Sequence, residues 1–272
     1  QLEWYKAKHP LLFLSLKKQH KDIVPLDIVL NEKQRILLIS GPNAGGKSVC
    51  LKTVVLLQYM LQCGLLIPVH DSSLTGIFER LFIDIGDEQS IENDLSTYSS
   101  HLLNMKFFIK NSNPSTLLLI DEFGTGTEPL IGGAIAEASL ERFNKNMAFG
   151  VITTHYTNLK HYAEDTPGVV NGAMLYDRQH LQPLFELSIG NPGSSFAIEI
   201  ARKIGLPEDL IADAASKVGT EHLDYDKHLQ DIVRDKRYWE NKRQQIRQKE
   251  KKLEETLEKY ETELNNIDRQ RK

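Results

Sequence analysis

Apolar runs too short to be buried helices alternate with polar turns over the first 220 or so residues, the rhythm of a layered α/β domain. Ile23 to Leu30 and Arg35 to Ser40 read as two strands around the turn-like Asn31-Glu32-Lys33. Glu79 to Ile85, Ser115 to Ile120 and Met147 to Thr153 read as further strands, the last two apolar on both faces as in a parallel sheet. Val49 to Gln62 lacks Gly and Pro and predicts a helix of four turns. Thr97 to Lys110 predicts another, with Ser96 as its N-cap, and Pro129 opens a third that runs to about Phe143. Val169 to Tyr176 and Leu181 to Ser188 alternate as a hairpin at a sheet edge would. Ser195 to Ile204 and Pro207 to Lys217 close the globular part as two short helices.

The period changes after about Thr220. One sublattice of three-four spacing is apolar throughout: Ile232, Trp239, Ile246, Leu253, Tyr260 and Ile267. The other, Leu229, Lys236, Arg243, Glu250, Leu257 and Leu264, is charged in its middle. This predicts a coiled coil weakened at its centre; the alternative is a solvated single helix supported by i,i+4 charge pairs. The chain therefore divides into an α/β domain, 1–219, and a charged coiled-coil extension, 220–272.

Bulk composition narrows the class. Of 272 residues 26% are charged and 8% aromatic, ordinary values for a soluble globular protein. A net charge of −4 provides no global basic field to advertise nucleic acid. Cys50 and Cys63 lie too far apart along one helix to bridge, and they read as small apolar fillers in a reducing, cytoplasmic compartment. No stretch approaches twenty uninterrupted apolar residues, so no membrane span is expected. The opening Gln1-Leu2-Glu3-Trp4, without Met, reads as the interior of a longer sequence.

The chemistry is concentrated where the second strand meets its helix. Gly41-Pro42-Asn43-Ala44-Gly45-Gly46-Lys47-Ser48 matches G-x-x-x-x-G-K-S between a predicted strand and a predicted helix. Glycines let consecutive N–H groups turn onto phosphate oxygens at the positive end of the helix, which continues through Val49. Lys47 supplies a point charge for β- and γ-phosphates, Ser48 a hydroxyl for Mg²⁺, and Asn43 a polar side chain beside the γ-phosphate. These residues predict binding of ATP or another nucleoside triphosphate.

The apolar strand ending in Asp121-Glu122 gives the second half of the site: Asp121 as a Mg²⁺ ligand and Glu122 as the base for an attacking water. His155, after the strand that ends Thr153-Thr154, is placed to donate to the γ-phosphate or position water. Ser96, at a helix N-terminus, reads first as a simple cap, with a γ-phosphate contact as the alternative that such an end allows. His101 and His161 have no comparable company in the sequence.

Together these segments resemble the ATPase domain of the MutS family, a branch of the ABC-type ATPases. The phosphate loop is similar to that family's GPNxGGKS, Leu119 to Thr127 to its acidic strand and interface loop, Thr153-Thr154-His155-Tyr156 to its switch histidine, and Ser96-Thr97-Tyr98 to its ST-aromatic signature. Gly86 to Ile91, Thr125 to Pro129 and Gly190-Asn191-Pro192-Gly193-Ser194-Ser195 resemble the second MutS subtype. The resemblance implies a P-loop fold of ABC type with a mostly parallel central sheet, a homodimer through this domain with Ser96 reaching the partner's nucleotide, and Mg²⁺-dependent ATP hydrolysis. It further implies a clamp whose load is branched DNA or collided ribosomes, with the subtype's nuclease domain outside these residues. The competing expectation is an assembly module that binds ATP and hardly hydrolyses it. Mismatch-repair members of the family place an aromatic for adenine stacking just before the first strand; here Ile23 and Val24 occupy that region, which suggests apolar packing of the base.

Overall fold

The computed structural model describes residues 1–86, 97–177 and 180–270. In chain order the elements are β1 (Leu2–Ala7), α1 (Pro10–Lys18), β2 (Leu26–Leu30), β3 (Gln34–Ser40), a 3₁₀ turn over Asn43–Gly45, α2 (Lys47–Gln62), β4 (Leu74–Thr75) and β5 (Arg80–Asp84). There follow α3 (Thr97–Asn111), β6 (Thr116–Ile120), α4 (Pro129–Lys145), β7 (Phe149–Thr153), α5 (Thr157–Asp165), β8 (Gly168–Asp177) and β9 (Gln182–Ile189). α6 (Ala197–Ile204), α7 (Glu208–Val218) and α8 (Thr220–Gln270) complete the described chain. Two compact units result, residues 1–229 and 230–272.

The central sheet has the order β5-β6-β7-β3-β8-β9, parallel except for the antiparallel pair β8–β9. Alternation along β3 explains its two-sided burial. Leu37 and Ile39 join one core with Leu51, Val54 and Leu57 of α2, while Ile36 and Leu38 join the other with Leu140 and Phe143 of α4 and Leu159 of α5. Each such side chain contributes about 1.5–3 kcal/mol by leaving water. A small antiparallel sheet, β2-β1-β4, extends the first core through the fully buried Leu2, Trp4, Ile28 and Leu30.

Several expectations are corrected here. The first predicted strand starts at Leu26 rather than Ile23, because Pro25 precedes it. β1, α1 and α5 were not anticipated. The hairpin expected at the sheet edge is present: β8 pairs antiparallel with β9, which forms the edge, and the first eight residues of β8 are all buried. Cys63 is exposed at the end of α2 and is not an apolar filler; Cys50 is buried. In the second unit α8 continues as one helix, with Trp239, Ile246, Leu253 and Tyr260 of the apolar sublattice exposed. Among the described residues no helix is long and apolar enough to cross a membrane.

Candidate active site

Parallel pairing carries three strand ends to one edge. β7 lies between β3 and β6, with Ile152 opposite both Leu38 and Ile120. The loop after β3, the acidic pair after β6 and the Thr-His step after β7 therefore emerge side by side, at the carboxyl edge where α/β sheets bind ligands.

The loop turns into α2 at Gly46, whose φ of 96° is strained for any other residue, and a Cβ there would come within 3.1 Å of the Phe185 ring. Gly46 offers no side-chain cap, so the N–H groups of Lys47, Ser48 and Val49 open a 16-residue helix without one. Lys47 is only 3% exposed. Its ammonium donates to the Gly41 carbonyl at 2.8 Å and the Pro42 carbonyl at 3.1 Å, with a long contact of 3.5 Å to Asn43 Oδ1. Burial brings its pKa down to about 8, opposed by the charges of Glu122 and Asp121 and assisted by Lys160.

Thr153 organises the acidic pair. Its hydroxyl donates to Asp121 Oδ1 and accepts the Glu122 amide at 2.8 Å, while its carbonyl accepts the Phe123 amide at 2.8 Å. Glu122 has φ 48°, a left-handed conformation uncommon outside glycine. Its carbonyl accepts both the amide and the hydroxyl of Thr125, and its side chain is exposed. Asp121 and Ser48 are half-buried.

His155 is half-buried, and its Nε2 is shielded without a hydrogen-bond partner among the described residues. Burial, then Lys47 and Lys160, lower its pKa to about 4 against the pull of Asp121, so the ring is neutral at pH 7. An uncapped helix start, a buried ammonium and an orphaned imidazole nitrogen suit a polyphosphate. One hydroxyl and one carboxylate, Ser48 and Asp121, suit Mg²⁺, which takes oxygen ligands and keeps waters.

Ser96 lies outside the described residues. Asp121 and Glu122 themselves line a small cleft between α3 and α4, together with Tyr98, His101, Asp84 and Ile135 among others. Asp84 is 4% exposed; its Oδ2 pairs with His101 Nδ1 at 2.7 Å and its Oδ1 accepts from Asn104 at 3.0 Å. Sequence reasoning passed over this pair, although Asp84 carries the same mark as Asp121, an acid ending an apolar strand. It also missed Lys160, a buried lysine of α5, and Phe185, an aromatic brought to the glycine-rich loop at Gly46 by the edge strand β9.

Residues 37–221 match the family model described as MutS domain V. The chain is similar to the Endonuclease MutS2 of Thermomicrobium roseum, 45% identical over 228 residues that cover 84% of this chain and 28% of that protein. It is similar to the Endonuclease MutS2 of Carboxydothermus hydrogenoformans, 42% identical over 245 residues covering 90% and 31%. The protein of the same name from Finegoldia magna is 42% identical over 259 residues, covering 95% and 32%. The chain spans about three tenths of the length of these curated relatives.

Proposed function

The chain belongs to the MutS domain V family, and from that premise we propose that it is the ATPase domain of a MutS2-type protein, binding Mg²⁺·ATP at the β3–α2 loop and hydrolysing it. The observation that carries this reading is the Lys47 ammonium, buried and held by the Gly41 and Pro42 carbonyls, at the same sheet edge where β6 ends in Asp121 and Glu122. Lys47 and the first amides of α2 bind the β- and γ-phosphates. Mg²⁺, held by the Ser48 hydroxyl and the Asp121 carboxylate, would supply positive charge against the phosphate oxygens. Glu122, anchored at its amide by Thr153, accepts the proton of the attacking water. His155, neutral at pH 7, donates from its ring to the γ-phosphate or to that water. Phe185 beside Gly46, with Ile23 and Val24 as the apolar alternative, is the candidate platform for the base.

In the whole protein this step works as a nucleotide-gated switch. Two copies close over ATP, with Ser96 reaching across, and turnover drives a clamp acting on branched DNA or on collided ribosomes. Exposed Leu130 and Ile131, at the start of α4 beside the interface loop, support an apposed surface there.

Single-turnover phosphate release tests the reading. Glu122→Ala should retain ATP affinity and release phosphate at least about 100-fold more slowly. Lys47→Ala should lose tight binding. Equal rates for wild type and Glu122→Ala would remove Glu122 as the base, and slow release in both would favour the assembly module.

A further inference from the structure

Behind the phosphate loop, away from the cleft, three segments distant in sequence converge on Gly193. The Gly193 amide donates to Ser40 Oγ at 2.7 Å. A Cβ on Gly193 would lie 2.6 Å from the Ser40 carbonyl oxygen and 3.0 Å from the Gly41 nitrogen. The loop thus rests backbone to backbone on the peptide that begins the phosphate loop, and the next carbonyl, that of Gly41, receives Lys47.

Two side chains hold Gly193 there. Lys160, 6% exposed, donates to the Gly193 carbonyl at 2.9 Å. Ser194 donates to Asp226 Oδ2 at 2.7 Å, and the Ser195 amide donates to Oδ1 at 3.2 Å. Asp226 belongs to the first turns of α8 and, like every residue in this cluster, to the first compact unit. The neighbouring Tyr225 ring packs on His161 of α5 at 4.8 Å between centroids, so the root of α8 also grips the helix that starts just after His155. Lys160 keeps a lowered pKa through burial, partly offset by the charges of Asp226 and Glu164.

We propose that Asp226 is a positioning residue for nucleotide binding: through Ser194 and Gly193 it fixes Ser40 and Gly41, and so links the root of α8 to the grip on ATP. This rests on the phosphate-loop reading above. The carboxylate touches no substrate; it closes a bonded series, Asp226–Ser194–Gly193–Ser40, whose last member is bonded covalently to the loop. Coupling of this kind is reciprocal, so occupancy of the loop must also steady the root of α8.

The test uses the full chain with Mg²⁺·ATP as probe. Asp226→Ala should raise KM for ATP at least fivefold while changing kcat less, and Asp226→Asn should fall between it and wild type. Ser194→Ala should do the same, and the two changes together should cost no more than either alone. In wild type, Mg²⁺·ATP should slow amide exchange in residues 220–229 several-fold, and Asp226→Ala should abolish that response. Should Asp226→Ala not fold, Ser194→Ala, which deletes one hydroxyl, carries the same comparison. A folded variant with lowered thermal stability but wild-type KM would make the contact merely structural and overturn the inference, as would nucleotide-independent exchange in wild type. Wild type that fails to bind Mg²⁺·ATP overturns both readings; wild type that binds, with variants indistinguishable from it, overturns this one alone.

Discussion

Thr153→Val is the most exposing substitution for the site, because it keeps the side chain's shape and deletes only the hydroxyl. That hydroxyl is fully buried and serves two partners, as donor to Asp121 Oδ1 and acceptor from the Glu122 amide. A hydrogen bond to a charged group contributes about 1.5–3 kcal/mol, and a buried amide left unpaired costs about 1–3 kcal/mol. Glu122 is exposed, so water reaches part of this edge and the lower ends of both ranges apply. The loss is then about 2.5–4 kcal/mol in all. At roughly 2–4 °C per kcal/mol for a domain of this size, the melting temperature should fall by roughly 5–16 °C. Urea denaturation measures the first figure and calorimetry the second. Turnover should fall about tenfold or more, because the backbone that aims Glu122 loses its anchor. Thr153→Ser restores the hydroxyl and should return most of both. A Thr153→Val protein within about 0.5 kcal/mol of wild type, with undiminished turnover, would refute the claim that this hydroxyl organises the acidic pair.

His155 gives a pH signature. Its folded pKa, held near 4 by burial first and by Lys47 and Lys160 next, lies below the 6.5 of the free side chain. On acidification the unfolded chain takes up a proton that the folded chain refuses. Stability present above pH 6.5 should therefore decline as pH falls toward 4, and His155→Gln should flatten that slope in urea titrations; parallel slopes would sink the assignment. Phe185→Ala should weaken ATP binding by about 1–3 kcal/mol, roughly 5- to 150-fold, with a smaller effect on kcat, while Phe185→Trp holds affinity. Unchanged affinity in Phe185→Ala, measured by nucleotide titration, would take Phe185 out of the base platform.

The local parts of the molecule were legible in the chain itself. The glycine-rich loop is contiguous: its strand, glycines, lysine and helix follow one another, so its backbone conformation is written in neighbouring residues from Arg35 to Gln62. The apolar strand before Asp121-Glu122 and the buried strand before Thr154-His155 were legible for the same reason. Where elements were short, they went unseen. α1 buries no side chain fully, α5 has nine mostly polar residues, and β1 is a short alternation at the start of the chain.

Which strand ends become neighbours was decided only by the tertiary structure. Inserting β7 between β3 and β6 makes Thr153 the bridge of the acidic pair, although in the sequence it reads only as the end of the strand before His155. The pairing of Asp84 with His101, the arrival of Phe185 at Gly46, and the meeting of Lys160, Gly193 and Asp226 arise in the same way. In each case the partner that gives a side chain its role is supplied by sheet register and helix packing, and both follow from burying the core as a whole rather than from any local run of residues.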